Sequence, residues 1–131
     1  MSDATADIHA LFAAYGGGFD DADPDAVTVL FAWPATIWQF GEGHVFEDED
    51  ELSENVDALM DVFDEAGIVS TTPEVKEVRV AGSTGFADVI WRQVDSPGEL
   101  LHEFSCQYFL LNHGGAWRIA CIVNEDKRGE A

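Results

Sequence analysis

An α+β fold, with helices in the first half of the chain and a largely antiparallel sheet in the second, is predicted by three observations. Leu100 to Val123 carries apolar residues at alternate positions in two arms separated by Asn112 to Gly115, the pattern of a β-hairpin half-buried on one face. Asp48 to Phe63 has the three-and-four apolar spacing of an amphipathic helix, opened by a capping box at Asp48 and Glu51 and followed by Gly67. The turn-rich segments AGSTG and DSPGE divide the stretch between Ile68 and Leu111 into three strands.

In chain order, Ile8, Leu11, Phe12, Tyr15 and Phe19 form a helical stripe, with Ser2 or Asp3 as its cap. Gly16 to Gly18 is awkward there, because each glycine costs a helix about 1 kcal/mol relative to Ala. Either the helix ends at Tyr15 or the glycines admit a closely packed neighbour. Pro24 suits the first turn of a second helix capped by Asp23, and Ala26 to Phe31 is expected to form two turns before Pro34 stops it. Ala35 to Phe40 reads as a strand, Gly41 to Gly43 as a turn, and His44 to Glu47 as a short strand. The third helix presents Leu52, Val56, Leu59, Met60 and Phe63, and strands follow over Ser70 to Val80, Gly85 to Val94 and Leu100 to Leu111. The C-terminal NEDKRGEA reads as a frayed end.

If the hairpin arms pair symmetrically about His113 and Gly114, Leu110 opposes Trp117, Tyr108 opposes Ile119 and Cys106 opposes Cys121, all on one apolar face. The other face carries Glu103, Ser105, Gln107 and Arg118, but also Leu101, Phe109, Leu111 and Ile122, and needs partial cover.

The length of 131 residues implies a single domain over 1–131. With 26 acidic against 6 basic residues, the net charge of -20 disfavours nucleic acid and anionic membranes, both of which are bound through Lys and Arg clusters. No apolar run is long enough to span a bilayer and MSDATADIHALF lacks the basic start of a signal peptide, so a cytoplasmic location is expected. Lysine is confined to Lys76 and Lys127, a scarcity that resembles proteins of salt-accumulating halophiles; the alternative is an ordinary acidic bacterial protein. Cys106 and Cys121 lack metal or redox spacing and read as reduced core residues. His9, His44, His102 and His113 lie in separate elements, so neither a metal nor a cofactor is expected.

The order of elements, with Tyr15, DDADPDAVTVLFAWPATIW, GEGHVFEDEDEL and the closing GGAWRIACIV, resembles the NTF2-like superfamily and its SnoaL-like branch across nearly the whole chain. That resemblance implies a cone: a strongly curved, mostly antiparallel sheet wrapped around the N-terminal helices and the third helix, with a ligand pocket at its open end. It also implies a homodimer packed through the sheet. One scaffold of this kind serves isomerases, dehydratases, cyclases and non-catalytic binders, so it specifies fold better than activity. Beside the ketosteroid isomerases, Tyr15 falls on the first-helix tyrosine, Gln39 on the general-base Asp and Gln107 near the second acid. Glutamine cannot take up and return a proton at neutral pH, so the steroid isomerase mechanism is not expected. That correspondence turns Glu103, Ser105 and Gln107 inward, whereas the apolar pattern turns His102, Phe104, Cys106, Tyr108 and Leu110 inward; a slip of one residue separates the two.

Candidate chemistry follows from the apolar pattern. His102 is placed to act as a general acid or base, the alternative being a strand-end histidine that bonds backbone or faces water. Tyr15 is a candidate donor to a ligand oxygen or else a stripe aromatic at the core edge. Trp33, Trp38, Gln39, Phe63, Trp91 and Tyr108 are expected to line a pocket for a small hydrophobic molecule. Asp88 falls on the face opposite Trp91, which weakens a His and Asp dyad. Two functions are compatible with these residues: proton-transfer catalysis of isomerase, dehydratase or cyclase type on an apolar carbonyl compound, and non-catalytic ligand binding or dimeric assembly.

Overall fold

The computed structural model describes residues 4–39 and 41–125. The proposed cap at Ser2 or Asp3, Phe40 at the end of the first strand, and NEDKRGEA beyond its first two residues lie outside them. Helix α1 (Ala4–Asp20) and the short α2 (Pro24–Thr28) lead into β1 (Phe31–Gln39) and β2 (Glu42–Phe46). Helix α3 (Glu49–Ala66) precedes β3 (Ile68–Ala81), β4 (Thr84–Asp95), β5 (Leu100–His113) and β6 (Ala116–Glu125). The six strands form one sheet in the order β2-β1-β6-β5-β4-β3, antiparallel throughout except where β1 runs parallel to β6. This is the curved α+β architecture that the sequence predicts.

Local chemistry explains most of the elements. The Asp48 carboxylate accepts the Glu51 N–H at 3.0 Å and the Glu51 carboxylate accepts the Glu47 N–H at 2.9 Å, so each side chain satisfies a donor at the start of α3. Gly67 ends the helix in the left-handed region at φ 82°. Helix α1 continues through its glycines, and close packing is the reason. A Cβ on Gly16 would stand 2.6 Å from the Thr71 carbonyl oxygen, and one on Gly18 would stand 2.8 Å from a Val27 methyl. The glycines therefore let β3 and α2 approach the helix more closely than a side chain permits.

Two sequence expectations are corrected. Helix α2 ends at Thr28, and Phe31 already belongs to β1; Pro34 stops no helix but sits within β1 where its pairing with β6 is irregular, between Phe31 and Thr36. In the hairpin, the turn is at Gly114 and Gly115, so Leu110 pairs with Ile119 and Asn112 with Trp117. A bulge between Phe109 and Leu110 then shifts the register, placing Tyr108 opposite Ile122, Cys106 opposite Asn124 and Phe109 opposite Cys121. Cys106 and Cys121 consequently occupy opposite faces, and the two are not joined in a disulfide.

The inner face of the sheet, including Val89, Trp91, Tyr108, Leu110 and Ile119, packs with Ile8 and Phe12 of α1 and Leu52 and Val56 of α3 in one core. Trp91 and Tyr108 are each 1 % exposed. Burial of an aromatic side chain removes roughly 150–250 Å² from water, on the order of 4–6 kcal/mol apiece. This commitment fixes which face of β4 and β5 turns inward.

Candidate functional site

The core stops short of filling the cone. Between α1, α3 and the inner face of the sheet lies a cavity of about 720 Å³, within the size range of small-molecule sites. Exposed Leu59 and Val62 of α3 and exposed Leu101 and His102 of β5 mark its mouth.

The floor is built by α1 and strands β4 and β5. Phe12, Tyr15 and Phe19 follow one another at helical spacing, and Tyr15 sits against Trp91 and Tyr108 with ring centroids 5.3 Å and 6.2 Å away. The Trp91 indole N–H donates to the Tyr108 hydroxyl at 2.7 Å. Because an indole offers only a donor, the Tyr108 oxygen must accept there, which leaves its own proton for a second partner, with the Tyr15 hydroxyl and the Cys106 thiol both beside it. Burial, reinforced by the neighbouring Cys106 thiol and opposed by the Tyr108 bond, pushes the Tyr15 hydroxyl well above the usual phenol range. Tyr108 is raised for the same principal reason. Both hydroxyls stay protonated, and so remain donors, throughout the physiological range.

A second polar array stands nearer the mouth. Gln93, 1 % exposed, donates to the Thr71 hydroxyl at 3.4 Å and places its carbonyl oxygen 3.3 Å from His102 Nδ1. The Thr71 backbone N–H in turn donates to the Asp20 carboxylate at 2.7 Å, tying this corner to the end of α1. Among the described lining residues, Glu103 is the one carboxylate, and Arg92 engages it at 2.7 Å.

The structure brings together most of the residues singled out in the sequence. Tyr15, Gln39, Phe63, Trp91, His102 and Tyr108 all line the cavity, with His102 at the exposed rim rather than beside Tyr15. Two tryptophans do not line it. Trp33 stacks on Phe31 at 6.2 Å and packs against the core, while Trp38 is 46 % exposed on the outer face, with its indole lying over Gly43. Alternation explains Trp38, since its neighbours Ile37 and Gln39 turn inward. Asp88 pairs with Gln107 across the outer face, so no dyad with His102 forms. Inward placement of Cys106 and Tyr108 favours the apolar pattern over the isomerase correspondence for β5. Thr71, Gln93, Asn55 and Asn124 are polar lining residues that sequence reasoning missed. Gln93 was detectable, two residues from Trp91 on the same strand face.

Among the described residues no group of His, Cys, Asp and Glu could hold a metal ion, and no helix is long and apolar enough to cross a membrane.

Comparison with solved structures finds the same architecture. An NTF2-like protein with a cystatin-like fold from Novosphingobium aromaticivorans matches with a TM-score of 0.77 at 17% identity, over 97% of this chain and 84% of that one. A cystatin-like domain from Nostoc punctiforme matches at 0.76 and 20% identity, over 96% and 80% of the two chains. A ketosteroid isomerase-like protein from Erwinia carotovora atroseptica matches at 0.69 and 21% identity, over 97% of this chain and 100% of that one. At these identities the likeness is one of fold. No curated protein matches the sequence. A family model described as NTF2-like protein (DUF6841) matches residues 5–127, nearly the full length, and the chain belongs to that NTF2-like family.

Proposed function

We propose that the cavity takes a small, uncharged, largely apolar carbonyl compound and catalyses a proton transfer on it, of the kind used in isomerisation, dehydration or cyclisation. The observation that carries this reading is the pair of buried phenols on the cavity floor, Tyr15 packed against the Tyr108 that accepts the Trp91 N–H, both kept protonated by burial. Such a donor stabilises negative charge that develops on a carbonyl oxygen when a neighbouring carbon loses a proton. In this reading Tyr15 holds the oxygen, His102 exchanges the proton from the rim, and Trp91, Tyr108, Phe63 and Gln39 shape the walls. Gln39 in the position of the isomerase base, with Glu103 already engaged by Arg92, leaves His102 as the available base.

The test needs no knowledge of the natural substrate. 2-Acetylnaphthalene in D₂O exchanges the protons next to its carbonyl, and NMR follows the loss. The wild type is expected to accelerate exchange over buffer, and Tyr15→Phe and His102→Gln to abolish the acceleration. Binding without acceleration would refute catalysis and leave the non-catalytic binder.

A second reading concerns the outer face of the sheet, where a second copy of the chain is proposed to pack. Trp38, Val45, Phe109 and Leu111 are exposed there, Phe109 at 48 %, and the buried oxygens Asp88 Oδ1 and Ser105 Oγ on the same face have no hydrogen-bond partner among the described residues. Sedimentation at high salt should give a dimer, and Phe109→Glu a monomer. A wild-type monomer would refute it.

A further inference from the structure

A row of three side chains crosses the inner face of the sheet at the mouth of the cavity. Thr71 of β3 stands opposite Gln93 of β4, and Gln93 stands opposite His102 of β5, so the three are neighbours along one line across the strands. Side-chain contacts follow that line: Gln93 Nε2 donates to Thr71 Oγ1 at 3.4 Å, and Gln93 Oε1 lies 3.3 Å from His102 Nδ1. The inner end is held firmly. Thr71 has its backbone N–H on the Asp20 carboxylate at 2.7 Å and its carbonyl oxygen against Gly16, and Gln93 is 1 % exposed. At the outer end the ladder changes register. The next pair beyond Gln93 and His102 joins Val94 to Leu100, so β5 carries Leu101 as an extra residue there, and Leu101 and His102 both reach the exposed mouth. A buried, uncharged amide thus holds one ring nitrogen of an exposed histidine.

We infer that Gln93 is a positioning residue for His102: its carbonyl oxygen accepts the Nδ1–H, which leaves Nε2 as the unprotonated nitrogen and therefore as the atom that takes the proton. This rests on the proton-transfer function proposed above and names the atom of His102 that performs it. A neutral imidazole has one N–H, and the hydrogen bond made at one nitrogen decides which of the two keeps it. Turning the amide over would set its NH₂ against Nδ1 and demand a bare nitrogen there. That arrangement fails once the base has accepted a proton, because an imidazolium carries N–H at both positions and two donors would then face each other. With the oxygen toward Nδ1, one contact serves both protonation states, and the ring takes up and returns a proton while its surroundings stay in place. Thr71 Oγ1 supports that orientation by accepting from the amide nitrogen at the far end.

Long-range proton–nitrogen correlation NMR at about pH 8.5, above the ordinary histidine range, reads which nitrogen of each neutral imidazole is protonated, and His102→Gln identifies the His102 signals among those of the four histidines. His102 should carry its proton on Nδ1, against the preference of a free histidine for Nε2. Gln93→Met keeps the length of the side chain and removes both bonds. It should lower the ratio of the Nδ1–H to the Nε2–H form about 5-fold, and exchange of 2-acetylnaphthalene at saturating probe should slow by about 3–10-fold. Gln93→Glu retains an acceptor at that place and should retain the Nδ1–H form. An Nε2–H form in the wild type would overturn the inference without any variant; so would an Nδ1–H form that survives Gln93→Met, or exchange that Gln93→Met leaves unchanged. If wild-type His102 is in the Nε2–H form while His102→Gln still abolishes exchange, the positioning role falls and catalysis by His102 stands. A wild type that carries Nδ1–H but accelerates no exchange would overturn the proton-transfer function, and the positioning role with it.

Discussion

The three consecutive glycines of α1 should respond to alanine in opposite directions, although helix propensity alone predicts the same response at each. Gly17 has nothing within 4 Å of where a Cβ would stand, so Gly17→Ala gains the propensity difference and the reduced freedom of the unfolded chain, about 0.5–1 kcal/mol. Gly16→Ala carries the same gain, but its Cβ would lie 2.6 Å from the Thr71 carbonyl oxygen and 3.3 Å from the Trp91 ring. Backbone cannot rotate aside as a side chain can. Helix and strand must separate by several tenths of an ångström, disturbing the Asp20 bond to the Thr71 N–H and the packing of Trp91. Overpacking of this kind costs about 1–3 kcal/mol, which leaves a net loss of up to about 2.5 kcal/mol after the propensity gain. For a chain of this length 1 kcal/mol moves Tm by roughly 3–4 °C, so Gly17→Ala should melt about 2–4 °C above the wild type and Gly16→Ala below it, by up to about 9 °C. Calorimetry on the two variants reads the difference directly. If Gly16→Ala melted as high as Gly17→Ala, the close approach of α1 to β3 would be wrong, and with it the position of Tyr15 over the cavity floor.

Tyr108→Phe should cost about 2–3 kcal/mol in urea unfolding, because it removes a bond and strands the Trp91 N–H in a site that is 1 % exposed; the Trp91→Phe and Tyr108→Phe double variant should recover part of that loss, and strict additivity would contradict the bond. Raised phenol values also set an alkaline limit. Unfolded tyrosine releases its proton near pH 10, whereas folded Tyr15 and Tyr108 retain theirs, so stability should be level below that pH and fall as pH rises past it. Tyr15→Phe should shrink the fall, and an unchanged alkaline profile would contradict the burial. Finally, 26 acidic residues against 6 basic ones repel one another over a distance that salt shortens to about 3 Å at 1 M; Tm should climb with KCl, and a flat curve would remove the halophile-like reading.

The elements most legible in the sequence are those whose signal is local. The capping box of α3 is carried by Asp48 and Glu51, its end by Gly67, and the inward face of β4 and β5 by the alternation of Trp91, Cys106 and Tyr108; each depends on neighbours three or fewer residues away or on a strict period of two. What remained hidden depends on the chain meeting itself. The glycines of α1 only make sense once Thr71 and Val27 are seen against them, and Pro34 reads as a helix stop until β1 is seen to tolerate it at an irregular pairing.

The hairpin shows most clearly why site residues are harder to read than folds. Alternation is a running count, and one bulge resets it. Trp117 and Ile119 are buried two apart, but the next buried residue is Ile122, three further on, so parity reverses between them. A strict count continues inward through Cys121 and Val123 and turns Asn124 out toward solvent; the shifted register does the reverse, exposing Cys121 to the outer face and bringing Asn124 to the cavity wall opposite Cys106. The spacing of Ile119 and Ile122 is the trace that such a reset leaves in the residues, since each needs cover and a strict period of two cannot bury both. The bulge therefore does more than bend the sheet. It is what brings Asn124, whose carboxamide oxygen has no hydrogen-bond partner among the described residues, to the wall shared with Tyr108, and so the polar character of that wall follows from a backbone irregularity that composition and periodicity do not record.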